Sequence, residues 1–544
     1  MDKKLPIAYF CAEFGIESSI PTYAGGLGIL AGDTLREAAD IDFPIVGIGL
    51  MYQGRFFTQK ILDNGWQTEE PSQFDPDEST LVRPVSSYGK PVFVIVNLAG
   101  IETWIKAYQL RVGDNITLYF VSCDNDKNSR EIRNVMAADY YGDEENQIRQ
   151  QIILSIGGVR LLKALKIKPR LYHLNEGRAC FTNWEVTKNI IEKEHLGFNE
   201  AKQKAKNLTV YTNHTILGSG NPTYSLDLIK KYALWHASKM NVSSDELVHD
   251  GVNDKTKRFD ITQFALNTSK IASAVSKPHG RLLKKTNPNY NWVTITNGVN
   301  MPQWQYFEFA NSQLSASDIW NVHRERKFKL AEIVLKRTGF GYDANRLVVS
   351  WARRVSDYKQ PHSIFEDIDR LTTILKNQQR PVQLLFAGKA HVGDDTAKKI
   401  IQEIILFMQN ELSGNAIFVH NYNIALAKEL VTGSDVWLNT PEFGKEACGT
   451  SGMKAIANGV LNCTTPDGWA NEVKWDGIGW KLDAKNVAES FYSLMENEIV
   501  PLFYNRTANG LPIAWIERMR KSISLSRKFS TRRMLDEYIK KLYS

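Results

Sequence analysis

The clearest pattern along the chain lies in its second half, where short apolar runs alternate with longer amphipathic stretches. Leu347–Ala352, Val382–Ala387, Ala416–His420, Asp435–Thr440 and Val460–Thr464 read as five short apolar strands. Between them, Ile364–Leu375 and Ala397–Gln409 carry the helical spacing of apolar positions. Strands and helices alternating in this way predict a doubly wound, mostly parallel sheet, and ligands of such sheets collect at the carboxyl ends of the strands.

The first half opens with a strand, Ile7–Cys11, then a glycine-rich loop, Ala24–Gly28, and a helix near Asp33–Ala39. A helix over Asn146–Leu165 and strands at Leu171–Leu174 and Leu208–Thr212 predict a second α/β sheet. Between about Gly65 and Cys123 the alternation of Val, Ile and Tyr predicts an antiparallel insert. Gly298 and Pro302 interrupt the pattern, which puts a boundary near Asn297–Gln303. The expected domains are 1–300 and 301–514, with 515–544 a terminal helical segment placed to pack back on the first domain. The expected fold class is therefore α/β, with two Rossmann-like domains facing a central cleft.

Length agrees with two domains, since 544 residues exceed the size at which one hydrophobic core stops growing. Apolar residues make up 43% and charged residues 23%, and no stretch approaches the ~18 apolar residues of a membrane helix. The opening Met1-Asp2-Lys3-Lys4 leads into an apolar run broken by Glu13, too short for an export signal. Five scattered cysteines form no Cys-x-x-Cys pair, which suggests neither a disulfide framework nor a metal site and fits a cytoplasmic chain. The net charge of +7 is spread along the chain, so neither nucleic acid nor membrane is an expected partner; focused in a cleft, it would attract a small anion.

The candidate chemistry sits where strands give way to helices. Glu446-Ala-Cys-Gly-Thr-Ser-Gly-Met-Lys454 follows the fourth of the five strands and runs into a helix near Met453–Asn458. Glycines at 449 and 452 permit close backbone approach, and a helix start offers N–H groups to an anion. Alone, the string reads equally as a turn with an exposed lysine. Arg353, Arg354 and Lys359 follow the strand Leu347–Ala352, and Gly388-Lys389 follows the next. Forked guanidinium donors match phosphate oxygens, although a solvated basic turn would look the same. In the first half, Tyr23-Ala-Gly-Gly-Leu-Gly28 is another strand-to-helix glycine loop. His214 could contact a sugar hydroxyl or simply support the fold, and Asn297 in Thr296-Asn-Gly298 could bind hydroxyls or form a turn.

Taken together and in this order, from Glu13-Phe14 to Lys454 and Asp467-Gly468, these strings closely resemble the glycogen/maltodextrin phosphorylase family, in particular its compact prokaryotic members. The resemblance implies a GT-B type fold, an α-glucan such as glycogen or maltodextrin and inorganic phosphate as substrates, and α-D-glucose 1-phosphate as product. It also implies pyridoxal 5'-phosphate held as an imine on Lys454, with Arg353, Thr450, Ser451 and Gly452 at the cofactor phosphate and Tyr358, Tyr422 and Trp304 beside it. Arg354 and Lys359 would hold the substrate phosphate, assisted by the backbone of Gly26, Leu27 and Gly28. His214, Asn297, Glu446, Cys448 and Gly449 would line the glucosyl pocket, and His214 and Glu446 join Arg354 and Lys359 as the catalytic set. The cofactor phosphate, with a second pKa near ~6, would act as acid beside the substrate phosphate, and configuration would be retained. No metal is implied, and a homodimer is.

Three positions depart from the family pattern. Arg178 stands where histidine is usual, Cys448 where serine is, and Arg353 where longer members have lysine. The first residues lead almost directly to the core strand, leaving little room for an N-terminal regulatory segment. Retaining nucleotide-sugar glucosyltransferases often carry two glutamates seven residues apart; here the first is Glu446 and Lys454 takes the second position. That leaves a glycogen/starch synthase-like enzyme, or a silent glucan-binding homologue, as the alternatives.

Overall fold

The computed structural model describes residues 4–138, 142–216 and 221–544; side chains 55–56 and 71–73 are outside it, as are residues 1–3, part of the opening read above for an export signal. The chain divides into two compact units. One comprises Met1–Phe56, Pro71–Thr296 and Met534–Ser544, and the other Phe57–Glu70 and Asn297–Arg533.

In the first unit the fully buried strand Ile7–Phe10 lies between Leu171–Asn175 and Ile45–Leu50, parallel to both. Thr209–Thr212, Ile271–Ala274 and Trp292–Thr294 extend the sheet on one side. On the other side Ile116–Ser122 continues the parallel order, followed by antiparallel Ile101–Val112 and Phe93–Leu98. The chain thus builds outward from Ile7–Phe10 in one direction and then from Leu171–Asn175 in the other. The strand order reverses between these two, which marks a topological switch point.

The second unit repeats the logic with a six-stranded, wholly parallel sheet in the order Ala416–Phe418, Val382–Ala387, Leu347–Ala352, Val436–Asn439, Leu461–Thr464, Trp480–Lys481. Its switch point lies between Leu347–Ala352 and Val436–Asn439. Asp435, placed by the sequence pattern at the head of a strand, is buried just before it. Its carboxylate accepts from Val348 N (2.7 Å) and Lys327 Nζ (2.6 Å) and bonds His323 Nε2 (2.8 Å). The two strands that flank the switch point are thereby tied together at their amino ends.

Three expectations change in detail. The helix expected over Asn146–Leu165 is Glu144–Ile152, a π-turn Ile153–Gly157 and Gly158–Ala164. A Cβ on Gly158 would meet Ile48 at 2.5 Å and Phe10 at 2.6 Å, so the backbone is pressed onto the sheet where the extra residue of the π-turn is absorbed. The hairpin of Gly54–Ile61 and Gln67–Gln73 falls within the expected first domain, yet Phe57–Glu70 groups with the second unit. Its side-chain amides hold loop backbone there, Gln59 donating to Gly388 O (2.8 Å) and Gln67 to Ala390 O (3.1 Å). The expected terminal segment 515–544 is also split. Ile513–Ser526 belongs to the second unit, where Met519 packs on Gly459, and only residues 534–544 belong to the first. There Tyr543 OH bonds His173 Nδ1 at 2.7 Å.

All five cysteines are free and buried. Among the described residues no helix is long and apolar enough to cross a membrane.

Candidate functional site

The second unit's switch point gathers the charged candidates. Leu347–Ala352 ends in Arg353, whose guanidinium donates to Glu446 Oε2 at 2.5 Å and to Asn439 Oδ1 at 3.2 Å. Lys359, on the turn Asp357–Lys359, donates to the same Glu446 Oε2 at 2.9 Å. Thr440 Oγ1 anchors that turn by donating to the carbonyls of Lys359 and Gln360. All three charged side chains are nearly buried, at 11%, 8% and 12% exposure for Arg353, Lys359 and Glu446. Burial by itself would raise the Glu446 carboxyl; the Arg353 and Lys359 charges overcome it and hold it at about 2.

Glu446 is also fixed from behind. Asp467 Oδ2 accepts the backbone N–H groups of Gly444 and Glu446, both at 2.9 Å, while its Oδ1 accepts from Gly468 N at 2.8 Å. Gly468 has φ +53, and a Cβ there would lie 2.2 Å from Cys448 O, so the 467–468 loop sits flush against the 444–448 segment. Cys448 is buried, which pushes its thiol up, and the thiol bonds the Asn297 backbone. Asn297 Oδ1 is buried and has no hydrogen-bond partner among the described residues, and Arg353 Nε is in the same condition.

The helix Ser451–Ala457 comes next, with Thr450 before it. Ser451 Oγ donates to Asn439 Oδ1 at 3.4 Å, so Asn439 joins the start of this helix to Arg353. A Cβ on Gly452 would meet Asn462 Oδ1 at 2.4 Å, which only glycine avoids. Lys454 is not the exposed lysine of a turn: it is 8% exposed, and its ammonium lies 3.5 Å from the centroid of the Trp304 ring. Asn458 Nδ2 donates to the carbonyls of both Trp304 and Lys454, which fixes the pair.

The other candidates in this unit are more scattered. Arg354 is exposed and Tyr358 half-buried beneath the Lys359 ammonium, 4.6 Å from ring centre to nitrogen. Tyr422 is half-buried in the loop after Ala416–Phe418, two strands from Leu347–Ala352. Lys389 turns to the hairpin, donating to Phe57 O at 3.0 Å.

The first unit's switch point is built differently. Glu13 Oε2 accepts from Ala24 N and Gly25 N, both at 2.9 Å, and so shapes the glycine loop. Gly26, Leu27 and Gly28 are the first three residues of the helix Gly26–Asp40, where N–H groups lack intrahelical acceptors, and a Cβ on Gly26 would meet nothing within 4 Å. On the loop after Thr209–Thr212, His214 Nε2 bonds Asn175 Oδ1 at 2.7 Å, and burial together with His279 holds the imidazole down to about 3, so it is neutral near pH 7. Glu176 accepts from His214 N, Tyr211 OH and Thr215 Oγ1. Arg178 donates to Gln147 Oε1 at 3.3 Å.

Asn439, Asn175 and Asp467 carry the geometry; the sequence pattern does not single out the two asparagines, and it marks Asp467 only as part of a string in the resemblance, with no role. For the two asparagines the available signal is position, the last residue of a strand at a switch point.

A family model described as carbohydrate phosphorylase matches residues 289–479, the segment that holds Asn297, Arg353, Lys359, Glu446, Lys454 and Asp467. Maltodextrin phosphorylase of Thermococcus litoralis is 32% identical across 99% of this chain and 70% of its own length. The chain belongs to the carbohydrate phosphorylase family. Glycogen phosphorylase of Aquifex aeolicus is likewise 32% identical, across 99% of this chain and 86% of its own. An uncharacterized protein of Methanocaldococcus jannaschii is 31% identical over 99% of both chains. The two doubly wound units of this phosphorylase-family chain are those of the GT-B type.

Proposed function

We propose that the chain is an α-1,4-glucan phosphorylase, which moves a terminal glucosyl unit of glycogen or maltodextrin to inorganic phosphate and yields α-D-glucose 1-phosphate with retention. One observation carries the reading: Arg353, Lys359 and Glu446 form a nearly buried charged cluster at a switch point, linked through Asn439 to the helix that holds Lys454. The family membership and the naming of its relatives as phosphorylases support it.

The residues present fit pyridoxal 5'-phosphate. Lys454 is buried over Trp304, and Arg353 Nε is a buried donor without an acceptor among the described residues. Lys454 would hold the aldehyde carbon, and Arg353, Thr450, Ser451 and the Gly452 backbone the phosphate, with Tyr358 and Tyr422 alongside. Bound there, the group supplies a second phosphate able to give and take a proton near neutrality.

This chain's own residues then have defined tasks. Lys359 and Arg354 hold inorganic phosphate, and their charges offset the repulsion between two phosphate groups in a site with little water. Asn297 Oδ1 accepts from a glucosyl hydroxyl, which satisfies the buried acceptor. Glu446, held ionised, and the Gly449 backbone complete that set beside Cys448; neutral His214 and the N–H groups of Gly26, Leu27 and Gly28 are the first unit's own candidates for sugar and phosphate. The glycosidic C1–O4 bond breaks, its oxygen takes a proton from inorganic phosphate, and a phosphate oxygen bonds C1 on the same face. Five buried free thiols support a cytoplasmic setting, and the family pattern supports a homodimer.

The test is direct. Purified protein with maltodextrin and phosphate should release glucose 1-phosphate, and borohydride reduction should leave a pyridoxyl group on the peptide containing Lys454. Activity without any vitamin-B6-derived group would sink the cofactor assignment. Glucan binding without product would sink the enzymatic one.

A further inference from the structure

Glu446 presents a chemical conflict. The residue expected to accept sugar hydroxyls spends one carboxylate oxygen on two cations, Arg353 at 2.5 Å and Lys359 at 2.9 Å. A carboxylate and a phosphate offer equivalent oxygens to guanidinium and ammonium donors, so the two anions compete for the same N–H groups. The competition is strong because the cluster is nearly buried and water screens it little. Glu446 cannot drift away through its backbone, since Asp467 pins Glu446 N and Gly444 N, but its side chain can turn. The unsatisfied acceptor Asn297 Oδ1 marks where a hydroxylated ligand is wanted, and Asn297 is tied to Cys448, two residues beyond Glu446.

We propose that Glu446 is an internal counter-anion that couples the two substrates: without sugar its carboxylate occupies Lys359 and Arg353, and a glucosyl hydroxyl donating to it draws it off and opens Lys359 to inorganic phosphate. The proposal rests on the phosphorylase reading of this site and adds an order to it. Sugar and phosphate then raise each other's affinity by one common factor, as linkage requires. Asp467 is a positioning residue in this scheme, keeping the carboxylate within reach of both partners.

The experiment measures binding of inorganic phosphate to the cofactor-loaded protein by equilibrium dialysis, with and without maltotetraose, for the wild type and Glu446→Gln. In the wild type the sugar should tighten phosphate binding about tenfold, within the usual range of coupling between sites. In Glu446→Gln, sugar-free phosphate binding should tighten several-fold and the effect of sugar should fall below about twofold. The wild-type measurement stands by itself should the variant misfold: phosphate affinity indifferent to sugar overturns the coupling. So does a folded Glu446→Gln protein that binds phosphate no more tightly than wild type. An enzyme that releases glucose 1-phosphate yet shows either result would leave the phosphorylase reading intact and remove only the counter-anion.

Discussion

Two glutamates, Glu176 buried and Glu446 nearly so, each on the loop after a strand at its own unit's switch point, have been given opposite electrostatic settings. Glu446 faces a guanidinium and an ammonium and is held at about 2. Glu176 faces N–H and O–H donors, which carry no full charge, and burial raises its carboxyl above the ordinary value. The architecture is shared, so the difference comes from the side chains at the strand ends: Arg353 and Lys359 in the second unit, Asn175, Tyr211 and His214 in the first. A switch point thus supplies a place, and those side chains decide whether it becomes a site for anions or a neutral hydrogen-bonding surface.

The largest expected effect breaks the charged side. Lys454→Ala should abolish retention of the cofactor and lower phosphorolysis on the order of 10³-fold or more, because the acid–base group is lost. Absorbance of the cofactor and glucose 1-phosphate release check it. Normal turnover without added cofactor would refute the assignment.

Next, Glu446→Ala leaves two nearly buried cations facing each other. A broken buried pair costs about 3 kcal/mol, and inorganic phosphate should restore much of the loss by taking the vacated place. Thermal unfolding with and without phosphate measures both. The pH dependence has a definite sign. The folded value of Glu446, about 2, lies below the unfolded value, so its contribution is complete above about pH 4.3 and is lost as pH falls toward 2. Acid unfolding of the wild type, compared with Glu446→Gln, should show that loss in the former alone.

Asp467→Asn is a smaller perturbation. Asparagine keeps one acceptor oxygen, so either the Gly444 and Glu446 N–H groups or that of Gly468 must face an amide NH2. A cost of about 1–2 kcal/mol in stability results. A drop of about tenfold in kcat/KM should accompany it, as Glu446 loses its fixed position. Unchanged kinetics would show that Glu446 needs no support from behind.

Much of this was legible in the sequence and some was not, for physical reasons. The strands of the second sheet stood out because a parallel sheet covered on both faces needs continuous apolar runs, and the candidate cations stood at their ends. The pairing of Glu446 with Arg353 was hidden, because residues 93 apart meet only through the order of strands. Asp435 looked like the polar start of a strand, and only the fold reveals its burial against Lys327 and His323. The hairpin Phe57–Glu70 gave no sign of its unit, since its amides seek backbone carbonyls, which every sequence offers equally.

Glu176→Gln should have the smallest effect, and its sign tests the neutral side of the comparison. Two effects oppose each other. The raised carboxyl of Glu176 means that the folded state favours its protonated form, so its contribution is present below the unfolded value and is lost as pH rises through the folded one. A neutral amide removes that loss near neutrality. Against this, glutamine has one acceptor oxygen where the carboxylate had two, and either Tyr211 OH and Gly177 N or His214 N and Thr215 Oγ1 must meet an NH2 group. Tyr211 can rotate its hydroxyl to accept, which lowers the cost on that side. The net change should be about 1 kcal/mol or less at pH 7. The variant's stability should also vary less than the wild type's as pH rises from the acid range to neutrality, read by urea midpoints at several pH values. A loss as large as that of Glu446→Ala would mean that Glu176 is ionised and tightly paired after all, and the contrast between the two switch points would disappear.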